Sequence, residues 1–221
     1  DWVCDKFKWD DEYKYNRGKV LNKDDLDEIE NFGRYLDVDN DGICYRTYPG
    51  THPEKGAFFT RGTSHDEYAR YTEDGEVNAA TLSRLMKKFR TASELVPEPV
   101  IEINGEDSCG VIFYGSTSPA VHEAKDILKE KEINIDLMQI RSFPFNLDVW
   151  EFIANHDRIY VVEQNRDSQM RTLIMAEGGI SPEILRPLVH FTGDPIQASY
   201  IVNKISEREV NYKSHINAKK R

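Results

Sequence analysis

The sequence predicts a three-layer α/β domain built on a parallel sheet, preceded by an irregular, helix-containing segment. Two observations carry this. From about residue 107 short apolar runs alternate with amphipathic helical segments, whereas residues 1 to about 98 are polar, acidic and rich in Tyr. Strands that alternate with helices imply parallel pairing through right-handed crossovers, with helices on both faces of the sheet. Pro97 and Pro99 mark the change, since each disfavours helical backbone in the residue before it. The expected organisation is a first segment at 1–98, a linker at 99–106, the α/β domain at 107–206 and a polar tail at 207–221.

Taken in order, KDDLDEIENFGRYL predicts one modest helix. Leu82, Leu85, Met86, Phe89, Ala92 and Val96 then recur at spacings of three and four, so VNAATLSRLMKKFRTASELV predicts an amphipathic helix with one apolar stripe. CGVIFYG reads as a strand leading through the turn STS into the helix SPAVHEAKDILKEKE. IDLMQIR and FNLDVWEFIANH form the next strand and helix, RIYVVEQN and RDSQMRTLIMAEG the third pair, and RPLVHFT with DPIQASYIVNKISE the fourth.

Ahead of these lies DVDNDGICYRTY, residues 37 to 48, which sets Asp37, Asp39, Asp41 and Gly42 where an EF-hand calcium loop has its counterparts. The twelfth position, which needs a bidentate carboxylate, is Tyr48, and Pro49, Gly50, Pro53 and Gly56 prevent an exit helix. The expectation is a tight turn in which the Asp side chains bond their own backbone and Gly42 takes a positive φ. Asp37, Asp39 and Asp41 stay as weak cation candidates, and a calcium-binding domain as a minor alternative.

Composition narrows the function classes. A formal charge of −10 repels polyanions on average, and the one basic run is the terminal AKKR, so nucleic acid is not an expected partner. Nothing approaches the roughly 20 apolar residues of a membrane span, and no signal-peptide core opens the chain, so the cytoplasm is the expected compartment. Cys4, Cys44 and Cys109 fit neither a disulfide framework nor a CxxC site and read as reduced structural thiols. The chain begins with Asp1, without preamble, as if cut from something longer.

In an open parallel sheet, ligands sit outside the carboxyl ends of the strands. Two turns qualify. Gly115, Ser116, Thr117 and Ser118 bring small hydroxyl residues to a helix N-terminus, which favours an anion, though such a serine also serves simply as a cap. Glu163 to Asp167 crowd polar groups behind the apolar IYVV, with Arg166 and Arg171 able to offer paired donors to a phosphate. Arg141, just before SFPF, ends the second strand. Ser64, His65 and Asp66 invite a triad reading, but consecutive side chains diverge, and His65 is expected to hydrogen-bond within a packed loop.

The stretches RYLDVDNDGICYRTYPGTHPEKGAFFTRGTSHDEYARYTED, GVIFYGSTSPAVHEA, IRSFPFN and YVVEQNRDSQMRTL together resemble the carboxyl-terminal part of the alpha subunit of 2-oxoacid:ferredoxin oxidoreductases, most closely the 2-oxoglutarate type. The resemblance implies a complex that decarboxylates a 2-oxoacid on thiamine diphosphate with Mg2+, passes electrons through a 4Fe-4S cluster to ferredoxin and transfers the acyl group to coenzyme A. It further implies that the first segment ends a pyrimidine-binding domain and that the second is similar to the transketolase carboxyl-terminal domain. Thiamine-binding segments would lie upstream, and the cluster would belong to a partner beta subunit. This chain alone is therefore expected to bind no cofactor and to be inactive. Its share would be subunit assembly and coenzyme A handling, with Gly115, Ser116, Thr117, Ser118, Arg141, Gln164, Asn165 and Arg166 as the coenzyme A candidates. Arg61, Gly62, Thr63, Ser64, His65, Asp66 and Glu67 form the family-motif loop. The rival class is a non-catalytic protein-interaction module.

Overall fold

The computed structural model describes residues 9–59, 64–105 and 109–219, with side chains to residue 212. Backbone contacts divide the chain into two compact units, Asp1–Thr91 and Ala92–Arg221.

The first unit is irregular. Its helix α1 (Lys23–Glu28) is shorter than the expected run to Leu36. Asn22 and Asp25 close a capping box at its start, and the Lys55 ammonium takes the Leu26 carbonyl at 2.8 Å together with that of Ile29 at its end. Leu26 and Ala69 are the fully buried apolar residues among the described part of this unit, so polar bonds carry much of its order. The acidic loop is one such network. Asp37 Oδ1 accepts from the amides of Asp41 and Gly42 at 3.0 and 2.9 Å, and Gly42 sits at φ +81°. Helix α2 (Gly75–Leu95) forms where the three-and-four spacing places it, but none of its residues is buried. The apolar stripe thus faces outward, with Leu82 55%, Met86 61% and Phe89 51% exposed.

The second unit carries a five-stranded sheet in the order β1 (Val100–Glu102), β3 (Ile135–Ile140), β2 (Cys109–Tyr114), β4 (Ile159–Glu163), β5 (Leu185–Val189). β2 to β5 pair in parallel, as expected, while β1 runs antiparallel on the edge beside β3. β1 falls inside the segment read as a linker. Three residues flanked by Pro99 carry too little pattern to stand out. The central strands are buried on both faces and therefore read as unbroken apolar runs.

Side chains alternate across the sheet into two cores. Val111, Phe113, Leu137 and Val162 pack with helices α3 (Ser118–Glu130) and α6 (Ala198–Lys219) on one face. Ile112, Met138, Val161 and Leu185 pack with α4 (Leu147–Ala154) and α5 (Gln169–Gly178) on the other. This is the three-layer α/β arrangement expected. α6 continues through the stretch read as a polar tail, because Glu209 is 2% exposed and anchored in the core.

Candidate functional site

The strand order fixes where a ligand crevice can form. The chain leaves β2 for β3 on one side and then returns to β4 on the other, so the carboxyl ends of β2 and β4 flank the switch point. Both turns singled out in the sequence lie there. β2 passes into a 3-10 turn, Gly115–Thr117, with Gly115 at φ +57°, and then into α3, whose first turn carries Pro119. β4 ends at Glu163, followed by Gln164, Asn165, Arg166 and Asp167.

Gln164 joins the two turns. Its Nε2 lies 3.2 Å from Ser116 Oγ and 3.3 Å from Thr117 Oγ1, while its Oε1 accepts the Ile196 amide at 3.3 Å. Thr117 is buried and Ser116 exposed, so one hydroxyl fixes the turn and the other meets solvent.

Glu163 has the opposite role from a ligand. Fully buried, its carboxylate accepts the amides of Met170 and Arg171 at 2.8 and 3.0 Å and the Asn165 Nδ2 at 2.7 Å. The free N–H groups of the α5 N-terminus are thus met by an internal anion. Burial, and then the charge of Glu163, raise the Tyr114 hydroxyl above its ordinary range. No comparable side chain caps α3.

The arginines divide. Arg166 is exposed and forks onto Asp167 at 2.7 and 3.1 Å. Arg171 is tied to the carbonyls of Leu185 and Pro182 at 2.6 and 3.1 Å and is not free to turn toward a phosphate, which corrects the reading of it as a candidate donor. Arg141 follows the end of β3, beside β2, and is exposed without a hydrogen bond or ion pair among the described residues. His190, overlooked in the sequence, follows β5 and donates its amide to Glu163 O, with a buried Nδ1 that lacks a partner. A lone histidine at a strand end carries no sequence signal of its own.

In the first unit, Arg61, Gly62 and Thr63 lie outside the described residues. Ser64 reaches Asn78 Oδ1 at 3.3 Å, His65 stacks on Tyr35 with centroids 3.9 Å apart, and Asp66 Oδ1 holds the amides of Tyr68 and Arg70. The Glu67 carbonyl accepts the Tyr35 amide at 2.9 Å. Ser64, His65 and Asp66 thus point to separate partners. The acidic loop is likewise engaged: Lys19 bridges Asp39 and Asp41 at 2.6 and 2.7 Å, and Lys87 meets Asp37 at 3.2 Å. Among the described residues no group of three or more His, Cys, Asp or Glu could hold a metal ion. Cys109 is fully buried, and burial pushes its thiol up to about 12. No described helix is long and apolar enough to cross a membrane.

No family model matches the chain. It is 27% identical over 195 residues to the alpha subunit of 2-oxoacid:ferredoxin oxidoreductase 2 of Aeropyrum pernix, covering 86% of this chain and 28% of that protein. It is also 27% identical over 191 residues to the alpha subunit of 2-oxoacid:ferredoxin oxidoreductase 1 of Sulfurisphaera tokodaii, covering 84% and 28%. The chain therefore spans little more than a quarter of the length of these relatives. Its fold is similar to that of a 2-oxoglutarate:ferredoxin oxidoreductase from Magnetococcus marinus with 2-oxoglutarate, coenzyme A and succinyl-CoA bound, at a TM-score of 0.69 and 22% identity over 80% of this chain and 30% of that one. Over most of its length the chain is thus similar in sequence to a part of the alpha subunits of 2-oxoacid:ferredoxin oxidoreductases.

Proposed function

We propose that the chain serves as part of the alpha subunit of a 2-oxoacid:ferredoxin oxidoreductase acting on 2-oxoglutarate, and that its second unit handles coenzyme A at the β2/β4 switch point. The observation that carries this is the junction of Gln164 with Ser116 and Thr117, which places a side-chain amide, an exposed hydroxyl and an uncapped helix start at one crevice. Arg141, without an ion pair among the described residues, adds a cation at the neighbouring strand end. The Magnetococcus marinus protein of similar fold has coenzyme A bound, which supports the choice of ligand. Coenzyme A would supply the thiol that accepts the acyl group. Gly115, Ser116, Thr117, Ser118, Arg141 and Gln164 would hold its anionic part, with Asn165 and Arg166 shaping the rim.

Thiamine diphosphate, Mg2+, the 4Fe-4S cluster and the route to ferredoxin are assigned to the rest of the complex and its beta subunit, in the cytoplasm. Cys109, a buried thiol inside a strand, supports assigning the cluster elsewhere. The outward apolar residues of α2 favour an added role in assembly, as in the protein-interaction reading.

The test uses the assembled complex. Arg141→Ala should raise the apparent KM for coenzyme A about tenfold while leaving 2-oxoglutarate decarboxylation with an artificial acceptor nearly unchanged. Equal losses in both would move the role from ligand binding to assembly.

A further inference from the structure

Both edges of the sheet carry a proline where the backbone turns outward. At β5, the Ile159 amide donates to the Ile184 carbonyl and the His190 amide to the Glu163 carbonyl, so the even-numbered residues turn their backbone groups toward β4. Leu185, Pro187 and Val189 therefore turn theirs to the outside. At β3, the Asn134 carbonyl accepts the Cys109 amide, which gives the even-numbered residues to β2 and leaves Leu137 and Gln139 to β1. Their partners in register are Glu102 and Val100, so Ile101, and Pro99 just ahead of the strand, face outward. Each proline stands where an added strand would look for an N–H donor.

At β5 the acceptors are occupied as well. Arg171 Nε donates to the Leu185 carbonyl at 2.6 Å, Arg208 Nη1 to the Pro187 carbonyl at 2.8 Å and the Tyr200 hydroxyl to the Val189 carbonyl at 2.8 Å. Arg171 comes from α5 on one face of the sheet, and Tyr200 and Arg208 come from α6 on the other. Both helical layers thus reach round the same edge. An added strand needs donors and acceptors in alternation, and this edge offers it the amides of Leu185 and Val189 with every outward carbonyl taken. Pro187 is itself exposed, so the edge lies at solvent. β1 needs less protection, because its three residues present one outward pair of groups, at Ile101.

We propose that Arg171, Tyr200 and Arg208 hold β5 closed against strand addition, an internal contact that occupies the edge in place of a second copy of this chain. An open edge of five residues is a template for pairing with its own copy, and the three side chains remove that template. Partners of the second unit then meet its helical faces and strand-end turns. The inference stands on the geometry of β5 and does not rest on the coenzyme A reading.

Sedimentation velocity of the purified chain over a range of concentrations reads self-association, and amide exchange at Val189 reads whether β5 takes part. Tyr200→Phe uncaps one carbonyl and should strengthen self-association about threefold, and Tyr200→Phe with Arg208→Ala about tenfold. Adding Pro187→Val returns an N–H to the edge and should strengthen it further. Exchange at Val189 should slow in step, as its amide gains a partner. Circular dichroism checks that each variant is folded; Tyr200→Phe keeps the ring and its contact with His190, so it carries the test by itself if the multiple variants do not fold. Self-association equal to wild type in the folded variants, a rise without slower exchange at Val189, or a wild-type chain that already pairs through β5 would each overturn the proposal.

Discussion

The Nε of Arg158 donates to both oxygens of the Glu209 carboxylate, at 2.9 and 3.2 Å, with both side chains nearly closed to solvent. The Tyr160 hydroxyl donates to the same carboxylate at 2.8 Å. Arg158 precedes β4 and Glu209 lies in α6, so the pair fixes the last helix onto the amino end of the sheet. Glu209→Ala would strip a buried guanidinium of its buried carboxylate, leaving it the more exposed Asp157 at 2.8 Å, and should destabilise the second unit by less than the roughly 3 to 5 kcal/mol of a buried pair broken outright. The urea midpoint measures this. Replacing both partners by Met and Leu should cost clearly less than the sum of the single changes, and full additivity would remove the coupling.

The same region sets an alkaline limit. Burial, with Glu209 adding, pushes the Cys109 thiol from 9.0 up to about 12, and burial with the Glu209 hydrogen bond raises Tyr160 as well. Folded values above the unfolded ones mean that this contribution is fully present below about pH 9 and is lost as pH rises toward 12. Each such group steepens the decline by up to about 1.4 kcal/mol per pH unit. Denaturant midpoints followed upward from about pH 8 should fall, and Cys109→Ala should flatten the fall. An unchanged slope would assign the alkaline loss elsewhere.

Gly42 meets the backbone of Lys88 so closely that an added Cβ would lie 2.3 Å from the Lys88 nitrogen, and it holds φ +81°. Gly42→Ala should therefore disrupt the first unit by more than the roughly 1 kcal/mol of a strained φ alone, read as a lowered melting midpoint. With Lys19 and Lys87 already on the loop carboxylates, calcium should bind no better than about millimolar, the weak end of known sites. A micromolar constant abolished by Asp39→Ala would restore the calcium reading.

What was legible follows from where information is stored. β2 and β4 are buried on both faces, and their apolar runs announced them, as did the three-and-four spacing of α2. Periodicity fixes secondary structure without saying what covers an apolar stripe, so the exposure of Leu82 and Met86 could not be read. The start of α5 was placed early because Ser168 adopts a left-handed conformation, at φ +51°, just before Gln169. Both turns of the crevice were visible as polar crowding at strand ends. Their junction through Gln164 and Ser116 spans 48 positions and exists only once the strand order is known.

Gln164 separates a structural clasp from a ligand site. Its amide donates to Ser116 and Thr117 and accepts from Ile196, so both ends are used within the protein. Gln164→Glu keeps the acceptor for Ile196, and the two hydroxyls can turn to donate to the new carboxylate, so the clasp largely survives. Gln164→Ala removes it altogether. If holding the turns together were the whole role, Ala would be the more damaging change and would act on stability and all activities alike. If the crevice receives the anionic part of coenzyme A, the carboxylate repels the ligand, and Glu should be the worse change specifically in KM for coenzyme A. A charge placed within about 4 Å of a phosphate opposes it by about 1 to 4 kcal/mol between bulk water and a protein surface, so the rise should exceed about fivefold. Steady-state kinetics of the assembled complex decide between them, with kcat for decarboxylation to an artificial acceptor expected to stay within about twofold in the Glu variant.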